Sequence, residues 1–176
     1  MRSHAAAVLV PLLLAAVSVS AGCFETKYPL SEQPAGAKID PRYLGEWSLE
    51  QLDADGQVAA SRLVVRNLHG ESYFVDWRGG GTDEEPLRAT AYLTDVNGVT
   101  FANARLLSDT PEPSNTYVIL RVDLDGEKLK LRNLDGDFFK DKKFDSPDAL
   151  RKIVADNLEN EKMYKGEPWY GARRGS

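Results

Sequence analysis

The chain has 176 residues, with 22 Lys and Arg against 27 Asp and Glu and a formal net charge of −5 at pH 7. Nucleic acids and anionic membrane surfaces attract basic patches, so this acidic balance argues against both as the main partner. The length is that of one ordinary domain.

The first 22 residues have the layout of an export signal. Arg2 supplies a short positive region, and residues 5–19 are almost entirely Ala, Val and Leu. A helix that spans a bilayer needs about 20 apolar residues, and this run is shorter. Small residues follow up to Gly22, directly before Cys23, and they predict cleavage at this junction. An ordinary secretory signal and an uncleaved membrane anchor are the alternatives.

The junction Ser20-Ala21-Gly22-Cys23 resembles the lipobox of bacterial lipoproteins, although that family usually has an aliphatic residue in place of Ser20. The resemblance implies that the thiol of Cys23, the single cysteine of the chain, carries a diacylglycerol, and that the freed amine is acylated. Several acyl chains such as palmitate give stable anchoring. In Gram-negative members an Asp after the cysteine favours inner-membrane retention. Phe24 at this position therefore implies the outer membrane, with the domain facing the periplasm.

Residues 23–37 are predicted to form a tether, because Pro29, Pro34 and Gly36 favour a semi-extended linker with little to bury. The folded domain is predicted to span residues 38–176.

Short runs with β-type alternation follow, separated by turn residues such as Asn97-Gly98. Their spacing predicts a mainly β fold, an antiparallel sandwich or barrel of about seven to eight strands. The seven predicted strands are Leu44–Leu49, Arg62–Val65, Ser72–Trp77, Leu87–Leu93, Val99–Leu106, Thr116–Leu124 and Lys128–Arg132.

One C-terminal helix is predicted over about residues 146–160. Ser146 suits the N-cap and Pro147 the first helical position, and an apolar stripe that begins at Leu150 suits packing on the sheet. The tail from Gly166 onward, with Trp169, either lies across the barrel or stays loose.

The segment Ile39–Trp47 resembles the opening of a lipocalin-type barrel, in which a helical turn leads into Gly-x-Trp on the first strand. The resemblance implies that Gly45 and Trp47 close the base of the barrel. It also implies that an Arg from a late strand packs over the indole, and Arg132 is predicted to fill this role.

The candidate chemistry is sparse. After signal removal the remaining histidine is His69, predicted to lie in an exposed turn, so a histidine-based triad or a zinc site of the usual kind is not expected. The acidic pairs, such as Asp53 and Asp55, fit turns better than a calcium loop. No cofactor or metal and no enzymatic activity are expected.

Tyr73, Val75 and Trp77 share one face of their predicted strand, so they either line a ligand cavity or fill the core. The sequence therefore predicts a lipid-anchored binding module for an apolar small molecule or lipid. The alternative is a filled barrel that docks on another envelope protein. A hydrolase that works through paired carboxylates is the third hypothesis.

Overall fold

The computed structural model describes residues 24–53, 55–79, 86–107 and 116–175. The export signal predicted for residues 1–22 and the lipidation predicted at Cys23 lie outside the described residues.

Nine strands form one antiparallel sheet, and eight of them close into a barrel. The chain passes from β2 to β9 with each strand hydrogen-bonded to the next, and β9 pairs back onto β2 to complete the cylinder. The strands are β1 (Glu25–Thr26), β2 (Gly45–Leu52), β3 (Val58–Leu68), β4 (Ser72–Gly79), β5 (Leu87–Val96), β6 (Val99–Leu106), β7 (Tyr117–Asp125), β8 (Lys128–Asn133) and β9 (Trp169–Arg173). The predicted antiparallel barrel of about seven to eight strands with a C-terminal helix is confirmed.

The β5–β6 hairpin shows how local sequence fixes the register. Asn97 and Gly98 have φ angles of 52° and 85°, and the strands that they join pair Val96 with Val99. Two successive residues with positive φ are what a type I′ turn requires, and its twist matches that of the strands. The predicted turn is therefore confirmed.

The seven predicted strands correspond to β2–β8, whereas the strand that closes the barrel lies in the tail. An added Cβ at Gly171, in the middle of β9, would lie 2.6 Å from Leu49 Cδ2 and 3.2 Å from Leu129 Cβ. The contacts between β9 and its two neighbours therefore require a glycine, a residue that argues against a strand when the sequence is read alone.

Two short helices lie in the connection between β8 and β9: α1 (Gly136–Phe139) and α2 (Pro147–Ala155). The Oγ of Ser146 caps α2 by accepting a hydrogen bond from the Ala149 amide at 3.2 Å, as predicted. Leu150 and Val154 are fully buried against the outer wall of the barrel. Within the described part of the chain, no helix has the length and apolar character needed to cross a membrane.

The prediction of a tether is wrong from Phe24 to Leu30. The ring of Phe24 is 6% exposed and stacks on Phe139 at 4.2 Å between centroids, and Leu30 is fully buried. The Leu30 amide donates to the Oδ1 of Asn103 at 2.7 Å. The proline and glycine content favours an extended chain. Burial of the apolar side chains of Phe24 and Leu30 nevertheless holds this chain against the outer wall of β5–β7.

Candidate functional site: the barrel interior

Alternation along each strand divides the barrel into an apolar interior and a more polar outer wall. The inward side chains leave a cavity of about 90 Å³, which we call the inner cavity. Its lining is aliphatic and aromatic: Tyr43, Leu63, Val65, Tyr73, Val75, Trp77, Ala91, Leu93, Ala102, Ala104, Leu120, Val122, Leu129 and Leu131.

Tyr73, Val75 and Trp77 all line the inner cavity, on the shared strand face that the sequence predicts. Whether they contact a ligand stays a prediction. Tyr73 lies toward one end of the barrel, where its hydroxyl accepts a hydrogen bond from the Asp40 amide at 2.8 Å. Trp77 lies toward the other end. Its ring packs edge-on against the ring of Trp169, with 5.4 Å between the ring centroids.

The small residues that open the cavity come from β5 and β6. Ala91 of β5 pairs with Ala104 of β6, and Ala89 and Ala102 lie beside them on the inward face. Alanine at these positions leaves space that a leucine or phenylalanine would fill. Only the aromatic face of β4 was predicted from the sequence, although alternating alanines in two neighbouring predicted strands were a signal for this space.

One end of the barrel, which we call the base, is closed. Trp47 is fully buried there, and its indole Nε1 donates to the carbonyl oxygen of Tyr43 at 3.1 Å. Gly45 has φ +127°, and a Cβ added there would lie 2.8 Å from Arg173 Nη1. A side chain at this position would therefore strain the backbone and press on the guanidinium.

The arginine over the indole is Arg173 from β9, and the prediction of Arg132 is wrong. The Arg173 guanidinium carbon lies 4.4 Å from the centroid of the Trp47 ring. Arg132 points outward, because it follows the inward Leu131 on β8, and it lies 4.1 Å over the ring of Tyr164.

The opposite end, which we call the mouth, is open as far as the described residues show. A second cavity of about 610 Å³ lies there, and it shares Val75, Trp77, Ala104 and Leu120 with the inner cavity. The two therefore form one space that narrows toward the base. Ligand sites in proteins measure about 300–1,000 Å³, and the mouth cavity is within this range.

The polar groups at the mouth are few. Glu25, Gln51, Ser61 and Asn133 line the mouth cavity, and among the described residues no Lys or Arg lines either cavity. Burial raises the pKa of the Tyr43 and Tyr73 phenols above the ordinary value of 10.0, so both are neutral at physiological pH. The inner cavity thus offers apolar contacts without a charged group.

Acidic side chains outside the two cavities have structural partners. Asp76 lies on the outer wall, and its hydrogen bond with Arg78 holds the pKa of that carboxyl below its ordinary value. Asp53 accepts hydrogen bonds from the amides of Asp55 and Gln57 inside the β2–β3 turn. His69 is exposed in the β3–β4 turn with φ 56°.

In the described part of the chain, the fold and the cavity define an eight-stranded antiparallel barrel with an apolar interior that opens at one end. No protein-family model matches the sequence, and no curated protein matches it. A redesigned β-barrel of solved structure is similar at 14% sequence identity, over 80% of this chain and 97% of the other, with a TM-score of 0.42.

Proposed function

We propose that the protein is a lipid-anchored lipoprotein of the cell envelope, in which a lipocalin-like barrel binds an apolar small molecule or a lipid. The observation that carries the proposal is the continuous apolar space inside the barrel, with a mouth cavity of about 610 Å³. Transfer of apolar ligand surface from water into such a space contributes roughly 25 cal/mol per Å² of buried area.

The lipocalin-like part of the proposal is supported by the base. A 3₁₀ turn at Pro41–Tyr43 leads into Gly45 and Trp47, and an arginine of the last strand covers the indole. This is the arrangement that the lipocalin resemblance implies, except that Arg173, and not Arg132, packs over the indole of Trp47.

A direct test is to purify the full chain from bacterial membranes under native conditions and to measure its mass before and after solvent extraction. We expect an apolar molecule to be released from the folded protein in addition to the covalent acyl chains. Material that carries no such molecule, and that takes up none from a lipid extract, would contradict the binding function.

The anchor needs its own test. Replacement of Cys23 by Ala removes the thiol that the lipobox resemblance assigns to the diacylglycerol, so the Cys23→Ala protein should leave the membrane fraction. Unchanged membrane retention, or a native mass without acyl groups, would overturn the anchor. The ligand test does not depend on either result.

The alternative is a barrel that docks on another envelope protein. The outer wall of β3–β4 favours it, since Arg62, Arg66 and Arg78 surround Phe74 in a shallow groove of mixed polarity. Arginine and aromatic residues are enriched in protein interfaces. Cross-linking in cells through residues of this wall would support the alternative if it captures one defined envelope protein, and the absence of any such partner would count against it.

A further inference from the structure

Exposed apolar side chains are concentrated at the mouth. The described residues include five large hydrophobic side chains that are well exposed, and four of them lie at this end of the barrel. We call these four the rim; they are Leu52 (53% exposed), Val58 (61%), Leu87 (48%) and Leu107 (45%).

The four rim residues lie at strand ends around the mouth of the barrel. Leu52 and Val58 are cross-strand partners where β2 ends and β3 begins. Leu87 lines the mouth cavity, and the Leu107 amide donates to the carbonyl oxygen of Arg88 at 2.8 Å, beside Leu87. Exposed apolar groups that cluster around an opening mark a surface that contacts another apolar phase or molecule.

The first described residues of the chain lie at the same end. Glu25 lines the mouth cavity, and the Phe24 amide is held by a hydrogen bond to the carbonyl oxygen of Leu134 at 3.2 Å. Two residues of extended chain span at most about 7 Å. A lipid on Cys23, two residues before Glu25 in the sequence, would therefore be attached within roughly this distance of the mouth.

We infer that the mouth faces the lipid bilayer with its rim in contact with the membrane surface, so that the cavity exchanges its ligand directly with membrane lipid. The inference rests on the proposed anchor at Cys23 and goes beyond it, because a lipid on a long tether would leave the orientation of the barrel free. Here Phe24, which directly follows Cys23 in the sequence, lies at the same end as the rim and the opening of the cavity.

The charges at the mouth define the kind of bilayer that fits. Among the described residues, Glu25 is the charged side chain that lines the mouth cavity, and the turn beside Leu52 carries Asp53 and Asp55. Arg88, which follows Leu87, lies 3.7 Å from the Asp76 carboxylate that can balance its charge. Anionic lipid attracts basic segments and repels acidic ones. The mouth therefore suits a zwitterionic surface, whereas the outer wall around Arg62 and Arg66 would suit an anionic one.

The orientation can be measured with nitroxide labels on the full chain, purified from membranes and reconstituted in phosphatidylcholine vesicles. When Cys23 is acylated, a cysteine introduced at Val58 or at Leu107 is the only free thiol. The matched control is Asn97, an exposed turn residue at the base. Collisions with a water-soluble nickel chelate and with lipid-soluble oxygen are recorded for each label.

We expect labels at Val58 and Leu107 to lose most of their accessibility to the nickel chelate and to gain accessibility to oxygen, whereas the label at Asn97 keeps that of an aqueous site. Addition of phosphatidylglycerol should reduce the protection at the mouth. Equal accessibility at both ends, or stronger protection in anionic vesicles, would overturn the orientation. A thiol of the unsubstituted protein that reacts with the label would overturn the anchor itself.

Discussion

Arg173 stabilises the base of the barrel through two kinds of contact. Its guanidinium covers the Trp47 ring, and it donates hydrogen bonds to the carbonyl oxygens of Leu44 and Arg42. The hydrogen bonds hold the 3₁₀ turn against the start of β2, so one side chain connects the last strand with the first strand of the barrel.

We expect Arg173→Ala to lower the free energy of unfolding by about 2–3 kcal/mol, since hydrogen bonds from a charged donor are worth about 1.5–3 kcal/mol. Urea denaturation followed by tryptophan fluorescence measures the change. Arg174→Ala, one residue further along and exposed, is the control and should stay within about 0.5 kcal/mol of the parent. Equal losses in both variants would refute the role of Arg173.

At the scale of residues, the sequence correctly predicts which side chains point inward wherever strand alternation alone determines it. Tyr73, Val75 and Trp77 share the inward face because strand residues two apart point to the same side. The same rule places Arg132 outside the barrel, on the face opposite Leu131. The correct partner of Trp47 could not be found, because Arg173 belongs to a strand that was not predicted.

At the scale of elements, β9 illustrates a strand that its neighbours define. It is only five residues long, and its central Gly171 is buried between β2 and β8. Strand propensity favours Trp169 and Tyr170 but disfavours Gly171 and Ala172, so this short segment carries a mixed local signal. Its pairing depends on contacts with residues that lie far away along the chain.

Gly171→Ala should destabilise the protein by about 1–3 kcal/mol, the range for an extra methyl group in a packed core. The physical reason is the 2.6 Å approach of the new Cβ to Leu49 Cδ2. Thermal unfolding followed by circular dichroism measures the effect, with Ala172→Ser at the neighbouring exposed position as the control. A melting temperature unchanged from that of the parent would show that β9 does not close the barrel in this way.

The N-terminal segment, residues 24–37, is a second element whose composition is misleading. Proline, glycine and serine predict a linker, yet Leu30 is fully buried and its amide is bonded to the buried Asn103. Local composition describes the preferences of the backbone, whereas the burial of Phe24 and Leu30 depends on a groove formed by distant strands and helices. From Phe24 to Leu30 this segment is part of the folded domain.

Leu30→Ala is expected to cost about 2–5 kcal/mol, the usual range for a leucine removed from a core. Glu32→Ala, on the exposed side of the same segment, should change stability by less than about 0.5 kcal/mol. Both are measured by urea denaturation. A Leu30→Ala variant as stable as the parent would restore the interpretation of this segment as a loose tether.

At the scale of the whole molecule, arginine pairs on the surface link stability to pH. Hydrogen bonds with Arg42, Arg62, Arg78 and Arg132 lower the pKa values of four carboxyls below their ordinary values of 3.8 for Asp and 4.5 for Glu. The four acids are Asp40, Glu46, Asp76 and Glu161.

A carboxyl whose pKa is lower in the folded state binds protons more weakly than it does in the unfolded chain. Its contribution is therefore present above the ordinary pKa and is lost as the pH falls through the folded pKa. We expect the urea midpoint to hold from pH 7 to pH 5 and to fall below about pH 4.5. A midpoint that rises on acidification would contradict the assignment of these pairs.

The sequence defined the barrel but left its interior undetermined. Alternation and turn residues predict the number and order of most strands. The barrel closes because β9 pairs with β2. The size of the space inside depends on the combined side chains of all eight strands, with the paired Ala91 and Ala104 as one example. No single segment of the sequence contains that information.

The most direct measurement of the central claim is a titration of the full chain with an apolar naphthylamine probe, whose fluorescence rises when it leaves water. Ala104→Phe fills the space where the two cavities meet, whereas Ala172→Phe adds the same side chain to the exposed outer wall. We predict saturable binding for the parent and for Ala172→Phe, and its loss in a folded Ala104→Phe. Binding that is equal in all three proteins would place the probe outside the barrel and contradict the account.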